Sequence, residues 1–196
     1  MKKGLLTTII IVAIVLIIVL SFVRGYNSLV SQEENVNTAW AQVENQYQRR
    51  SDLIPNLVKT VSGYATHEQE TLNAVTEARS QATQIKVDPA NLTPEALAEY
   101  NQAQGAVGSA LGRLHMLQEN YPDLKANQNF LELQSQLEGT ENRIAVERQR
   151  FNEAAREYNT SIRRFPRNII ASLFGFERKP LFEADEAARS VPTVEF

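Results

Sequence analysis

The strongest constraint on what this chain can fold into is its opening stretch. Leu5 to Val23, "LLTTIIIVAIVLIIVLSFV", is 19 residues without a charge, and Thr7, Thr8 and Ser21 are its only polar members. As a helix it measures about 28 Å, close to the ~30 Å hydrocarbon core of a bilayer. Beyond Val23 the sequence turns polar and rich in Gln, Asn, Glu and Arg. The 196 residues therefore read as a membrane anchor (1–24), a soluble domain (25–176) and an extended tail (177–196). The apolar run exceeds the ~7–15 residues of a secretory h-region, and no Ala-x-Ala follows it, so an uncleaved anchor is expected. Lys2 and Lys3 precede the run while Arg24 alone follows it before Arg49. That bias favours a cytoplasmic N-terminus and an extracytoplasmic domain.

After Tyr26 the apolar residues recur in steps of three and four: Tyr26, Leu29, Val36, Trp40, Val43, Tyr47, Ile54, Leu57, Val61, Tyr64 and later Val75. Glu33, Arg50 and Glu68 hold the remaining slots of the same progression. Such spacing describes a long helix with one buried seam, near coiled-coil period, and excludes strands, which alternate by two. Pro55 interrupts it within "RRSDLIPNLV" (Arg49 to Val58). Proline removes a helical hydrogen bond and crowds the preceding turn. Either the helix bends there, or Ser51 caps a new helix. The seam keeps its phase across Pro55, which favours a kinked, continuous helix fading near Gln84.

"IKVDPANLTPE" then reads as a loop. Thr93, Pro94 and Glu95 make a cap, an N1 proline and an acidic first turn, starting a second helix that runs to about Glu119. After "NYPDLKAN" a third helix carries Phe130, Leu133, Leu137, Ile144, Phe151, Ala154, Tyr158 and Phe165, ending at Pro166. "NIIASLFGF" forms a short fourth helix stopped by Gly175. Short connections between long amphipathic helices imply an all-α, elongated, antiparallel up-and-down bundle of three long helices and a short fourth.

Nothing in the sequence assembles a catalytic set or a cofactor or metal site. With no cysteine, thiol chemistry and cysteine-rich zinc sites are excluded, and a net charge of -3 argues against nucleic-acid binding. "HEQET" (His67 to Thr71) has threonine where a zinc-peptidase signature needs its second histidine. Gly105, Gly108 and Gly112 lack the strand and the Lys-Ser/Thr pair of a phosphate loop. They share one helical face instead, suited to close approach of a helix inside the bundle or from another subunit. The arginines between Arg143 and Arg167 interleave with Glu141, Glu147, Glu153 and Glu157, as on a solvated, ion-paired face. "RRFPRNIIASLFGFERKPLF" mixes Arg163 and Arg164 with Phe165, Phe174 and Phe176. It suits a cap on the bundle end or an interfacial membrane element, and the cap is the favoured reading.

Tyr26 to Glu68, with "YPDLKANQNFLELQSQLEGTENRIAVERQRFNEAAREYN" and "FPRNIIASLFGF", resembles the LemA family of bacterial membrane proteins. The resemblance covers roughly Gly25 to Ala184. It implies a single N-terminal membrane helix, an all-helical bundle and residence in the bacterial inner membrane, with no established biochemical activity. Family members resemble magnetosome membrane proteins, and others are often encoded beside membrane metallopeptidases. Arg49, Arg50, Asp52, Pro55 and Asn56 match the family pattern. Arg50, in seam phase, is expected to meet a carboxylate on the third helix, with Glu138, Glu141 and Glu147 as candidates. The functional expectation is a non-enzymatic, membrane-anchored scaffold that forms homo-oligomers or binds a partner. A protease adaptor or regulatory subunit is the alternative.

Overall fold

The apolar run and the first part of the soluble domain are one uninterrupted helix, α1 (Lys2–Ser62), about 90 Å long at the helical rise. The structure is a computed structural model that describes residues 2–183. After α1 come α2 (Gln69–Gln84), α3 (Pro94–Leu117), a single turn α4 (Pro122–Lys125), α5 (Gln128–Ser161) and α6 (Arg167–Phe174). No strand occurs among the described residues. α1 contains the only described helix segment long and apolar enough to cross a membrane. Residues 4–21 are exposed, and Gly25 is the first buried position, so packing begins where the apolar run ends.

Side-chain contacts give the topology. Arg79 of α2 reaches Ser51, Tyr100 and Gln104 of α3 lie beside Trp40 and Arg50, and Phe151 and Glu141 of α5 meet the same two residues. So α1 and α3 run away from the apolar segment while α2 and α5 run back, a four-helix up-and-down bundle. The start of α3 follows its sequence: Thr93 Oγ1 accepts from Ala96 N at 3.1 Å and Pro94 occupies the first turn. α6 stops where Gly175 adopts a left-handed φ of 74°.

Three sequence expectations change. The first soluble helix ends at Ser62 rather than Gln84. Gly63 to Glu68 form a turn, with Tyr64 N and Ala65 N both donating to Val61 O, and α2 folds back as a fourth bundle helix. α5 ends at Ser161, so Phe165 leaves the seam and is 81% exposed. Residues 177–183 of the tail are extended, as expected, but they lie along α5 as a strap, with Phe182 and Lys179 buried. The rest of that tail, 184–196, lies outside the described residues.

The strap is held by a spacing match. Asn159 exchanges two hydrogen bonds with the Lys179 backbone (2.8 and 2.9 Å), and Asn152 does the same with Phe182 (2.9 and 2.8 Å). Seven residues of helix and three of extended chain each span about 10 Å, so two asparagines two turns apart fit the strap's repeat. Lys179 Nζ completes the anchoring, 3.0 Å from Glu33 and 3.1 Å from the Ala90 carbonyl.

The core divides in two. Near the membrane end, Trp40, Tyr47, Tyr100, Phe151, Tyr158 and Phe182 form an aromatic cluster. At the far end the cluster is mainly aliphatic, built from residues such as Ile54, Leu57, Val75, Val107 and Leu114, with Phe130.

Candidate functional site

Between these clusters lies a polar layer, built on the residues that interrupt the seam of α1. Arg50 is 3% exposed, a position at which an unpaired guanidinium would be costly. Its Nη1 donates to Glu141 Oε1 at 2.8 Å, and its Nη2 donates to Gln104 Oε1 at 2.7 Å and to the Gln104 carbonyl at 2.9 Å. The guanidinium also lies 5.1 Å from the Tyr47 ring centre. One side chain on α1 thus ties α3 and α5 together, and Glu141 is the carboxylate that meets it.

Pro55 belongs to the same layer. It cannot donate to the carbonyl of Ser51, one turn back. Arg79 Nε from α2 donates to that carbonyl instead, at 2.7 Å, and α1 continues through the proline. Arg50 and Arg79 together link all four bundle helices at one level. Asp52 is exposed and accepts from Gln48 Nε2 at 2.8 Å, and Arg49 is exposed. The other polar seam positions also make cross-element contacts: Glu33 with Lys179, and Glu68, which accepts from Tyr121 Oη at 3.0 Å. Sequence reasoning missed Arg79 and Lys179. The carbonyl freed by Pro55 and the acid at seam position Glu33 were the available signals that each needed a long donor.

No helix of the described chain approaches the glycine face of α3 closely. A Cβ at Gly105 or Gly112 would have no heavy atom within 4 Å, and one at Gly108 would reach only Arg50 Nη1, at 4.0 Å. Gly108 and Gly112 instead border a groove of about 320 Å³ between α3 and α5. Leu57, Leu111, Leu114, Phe130 and Leu137 give it apolar walls, and His115, Glu138 and Glu141 stand among its lining residues. Nearer the apolar segment the strap lies along α5, and between it and Leu97, Ala98 and Asn101 of α3 runs a second groove of about 750 Å³. The chain's own strap thus enters the space between α3 and α5 in one half, and no segment of the described chain does so in the other.

α6 closes the membrane-proximal end, as the cap reading expects. A Cβ on Gly25 would stand 2.6 Å from Ile170 Cδ1, so α6 rests on bare α1 backbone. Phe174 lies 4.8 Å from Tyr26 and 6.0 Å from Phe22, and Phe176 lies 5.8 Å from Tyr26, by ring centres. Arg163 and Arg164 are exposed in the turn before it.

The electrostatics are those of packing. Burial raises the hydroxyl pKa values of Tyr47, Tyr100 and Tyr158 above the ordinary tyrosine value, and Arg148 and Arg50 partly offset this at Tyr47. Tyr121 is raised chiefly by its hydrogen bond to Glu68. Among the described residues no group of His, Asp or Glu side chains is arranged to hold a metal ion.

Residues 39–196, four-fifths of the chain, match the LemA family. The chain belongs to that family. Among curated proteins it is 28% identical over 179 residues to Magnetosome protein MamQ 2 of Paramagnetospirillum magneticum, and equally so to Magnetosome protein MamQ of Magnetospirillum gryphiswaldense. Each alignment covers 83% of this chain and 66% of the relative, so the chain spans just under two thirds of those proteins' length. It is 25% identical over 168 residues to Protein LemA of Metamycoplasma hominis, covering 86% of this chain and 73% of that one. The LemA family match and the apolar segment of α1 together mark this chain as a membrane-associated protein.

Proposed function

We propose that the protein is a non-catalytic helical scaffold, anchored by α1 and working through self-association. The observation that carries this reading is the open half of the α3–α5 cleft. Three glycines in one helix each cost about 1 kcal/mol relative to alanine, and at Gly105 and Gly112 no contact within the described chain offsets that cost. Small residues spaced by three and four let two helix backbones approach closely. The occupant we propose is the same face of a second copy, as in a two-fold interface where one patch meets itself. The polar layer beneath the groove fixes the register of α1, α3 and α5, which keeps that face rigid. Bacterial inner-membrane residence with the N-terminus cytoplasmic belongs to the same proposal, supported by the lysines before the apolar run.

The test is the particle mass of full-length protein drawn from its own membranes into native lipid discs without overexpression. A particle of two or more copies of this chain alone supports the scaffold. A particle that also holds a second membrane protein supports an adaptor, including one serving a protease, and a bare monomer contradicts both.

A further inference from the structure

α6 is apolar on two opposite sides, and the bundle covers only one of them. Ile170 and Ala171 are buried. On the other side Ile169 and Leu173, one turn apart, are 55% and 68% exposed, and Phe165, in the turn before α6, is 81% exposed. Three large apolar side chains left uncovered within nine residues are unusual on a soluble surface.

Place and charge identify what covers them. Through Phe174 and Ile170, α6 is fixed to Phe22, Gly25 and Tyr26, where α1 leaves its apolar run, so the patch sits at the level of a bilayer surface. Tyr158 to Phe176 carries Arg163, Arg164 and Arg167 and no carboxylate, in a chain whose net charge is -3. Arg163 and Arg164 are exposed, and so is Arg24, the neighbour of the Gly25 on which α6 rests. We infer that the outer side of α6 inserts into the surface of the leaflet that α1 crosses, with the arginines on anionic phospholipid headgroups. A patch this small would bind a membrane weakly alone, but α1 holds it at the surface, so insertion is an intramolecular step. The bundle then has two membrane attachments, which fixes its tilt and aims the groove.

The chain has no cysteine, so single-cysteine labels report cleanly. Full-length Leu173→Cys, carrying a polarity-sensitive fluorophore, is placed in discs of phosphatidylcholine with or without phosphatidylglycerol, using nitroxide-bearing lipid and aqueous iodide as quenchers. Leu16→Cys marks the bilayer interior, and Met116→Cys, 63% exposed on α3 at the far end, marks water. The expected result is blue-shifted emission at position 173, quenched by lipid and spared by iodide, more so with phosphatidylglycerol. An arginine near an anionic surface contributes roughly fivefold, so Arg163→Gln with Arg164→Gln lowers the docked-to-free ratio about 25-fold in anionic discs and little in neutral ones. Iodide quenching like that at position 116 overturns the inference. So does shielding from both quenchers, which means protein covers the patch, or indifference to phosphatidylglycerol. A label at position 16 that lipid fails to quench removes the anchor itself, and the inference with it.

Discussion

The two halves of the bundle are built from the same four helices and solve the same packing problem differently. Near the membrane an aromatic core is closed by the strap, whose Phe182 stacks on Trp40 and meets Phe151 edge-on. Beyond the Arg50 layer the core is aliphatic, and the cleft between α3 and α5 stays open along Gly108 and Gly112. The closed half shows what the open half lacks, a segment laid into the cleft. The difference assigns stability to one end and availability for contact to the other.

The largest effect is expected from opening the closed half. Phe182→Ala should cost about 3–5 kcal/mol, as for other buried phenylalanines. Chemical denaturation should show that loss, and because Trp40 is the only tryptophan, its fluorescence should report the closed half alone.

Next comes the layer that joins the halves. Arg50→Ala leaves the Gln104 carbonyl without its donor, while Glu141 is half-exposed and regains water, so the cost should be about 1–3 kcal/mol, and Arg50→Met, which fills the space, should lose less. The methionine variant should nonetheless loosen the coupling, so that Trp40 fluorescence and circular dichroism no longer change together on denaturation. Full stability and unchanged assembly in both variants would remove the register role from Arg50.

Arg79→Ala is a smaller break. It leaves the Ser51 carbonyl without the donor that replaces Pro55, at about 1–2 kcal/mol. Adding Pro55→Ala restores a backbone donor, so the double variant should recover much of the loss, a coupling that a double-mutant cycle measures.

The halves should also differ in alkali. Tyr47, Tyr100 and Tyr158 lie in the closed half with hydroxyl pKa values raised by burial. The unfolded chain releases those protons near pH 10 and the folded chain resists. Their contribution is therefore whole below about pH 10 and is lost as pH climbs above it. Phenolate absorbance followed against Trp40 fluorescence should show these tyrosines ionising only as the closed half unfolds.

Much of this architecture was legible. Thr93–Pro94–Glu95 and Gly175 act through local backbone chemistry, which sequence states directly. Arg50 could be placed facing another helix because seam phase fixes direction. The turn after Ser62 was not legible, since Val61, Tyr64 and Val75 keep their spacing across it and Gly63 was the single breaker. In the structure Tyr64 is 43% exposed and Ala65 takes the buried place, a substitution that periodicity cannot see. The strap has the loop character of Pro180 and no period of its own. Asn152 and Asn159, on a distant helix, give it its place. The glycine face was visible as a face, but only three dimensions show that it points away from the chain's own helices.

The most direct test of the division into closed and open halves uses a face that both share. Ala98, Gly105 and Gly112 are each seven residues apart on α3, but the groove at Ala98 has the strap as its other wall while the groove at Gly112 has none. Single cysteines at positions 98 and 112 of the full-length chain, oxidised in native membranes, should behave differently. The account predicts a disulfide-linked dimer through position 112 and none through position 98. Equal cross-linking at both, or none at 112, would contradict it.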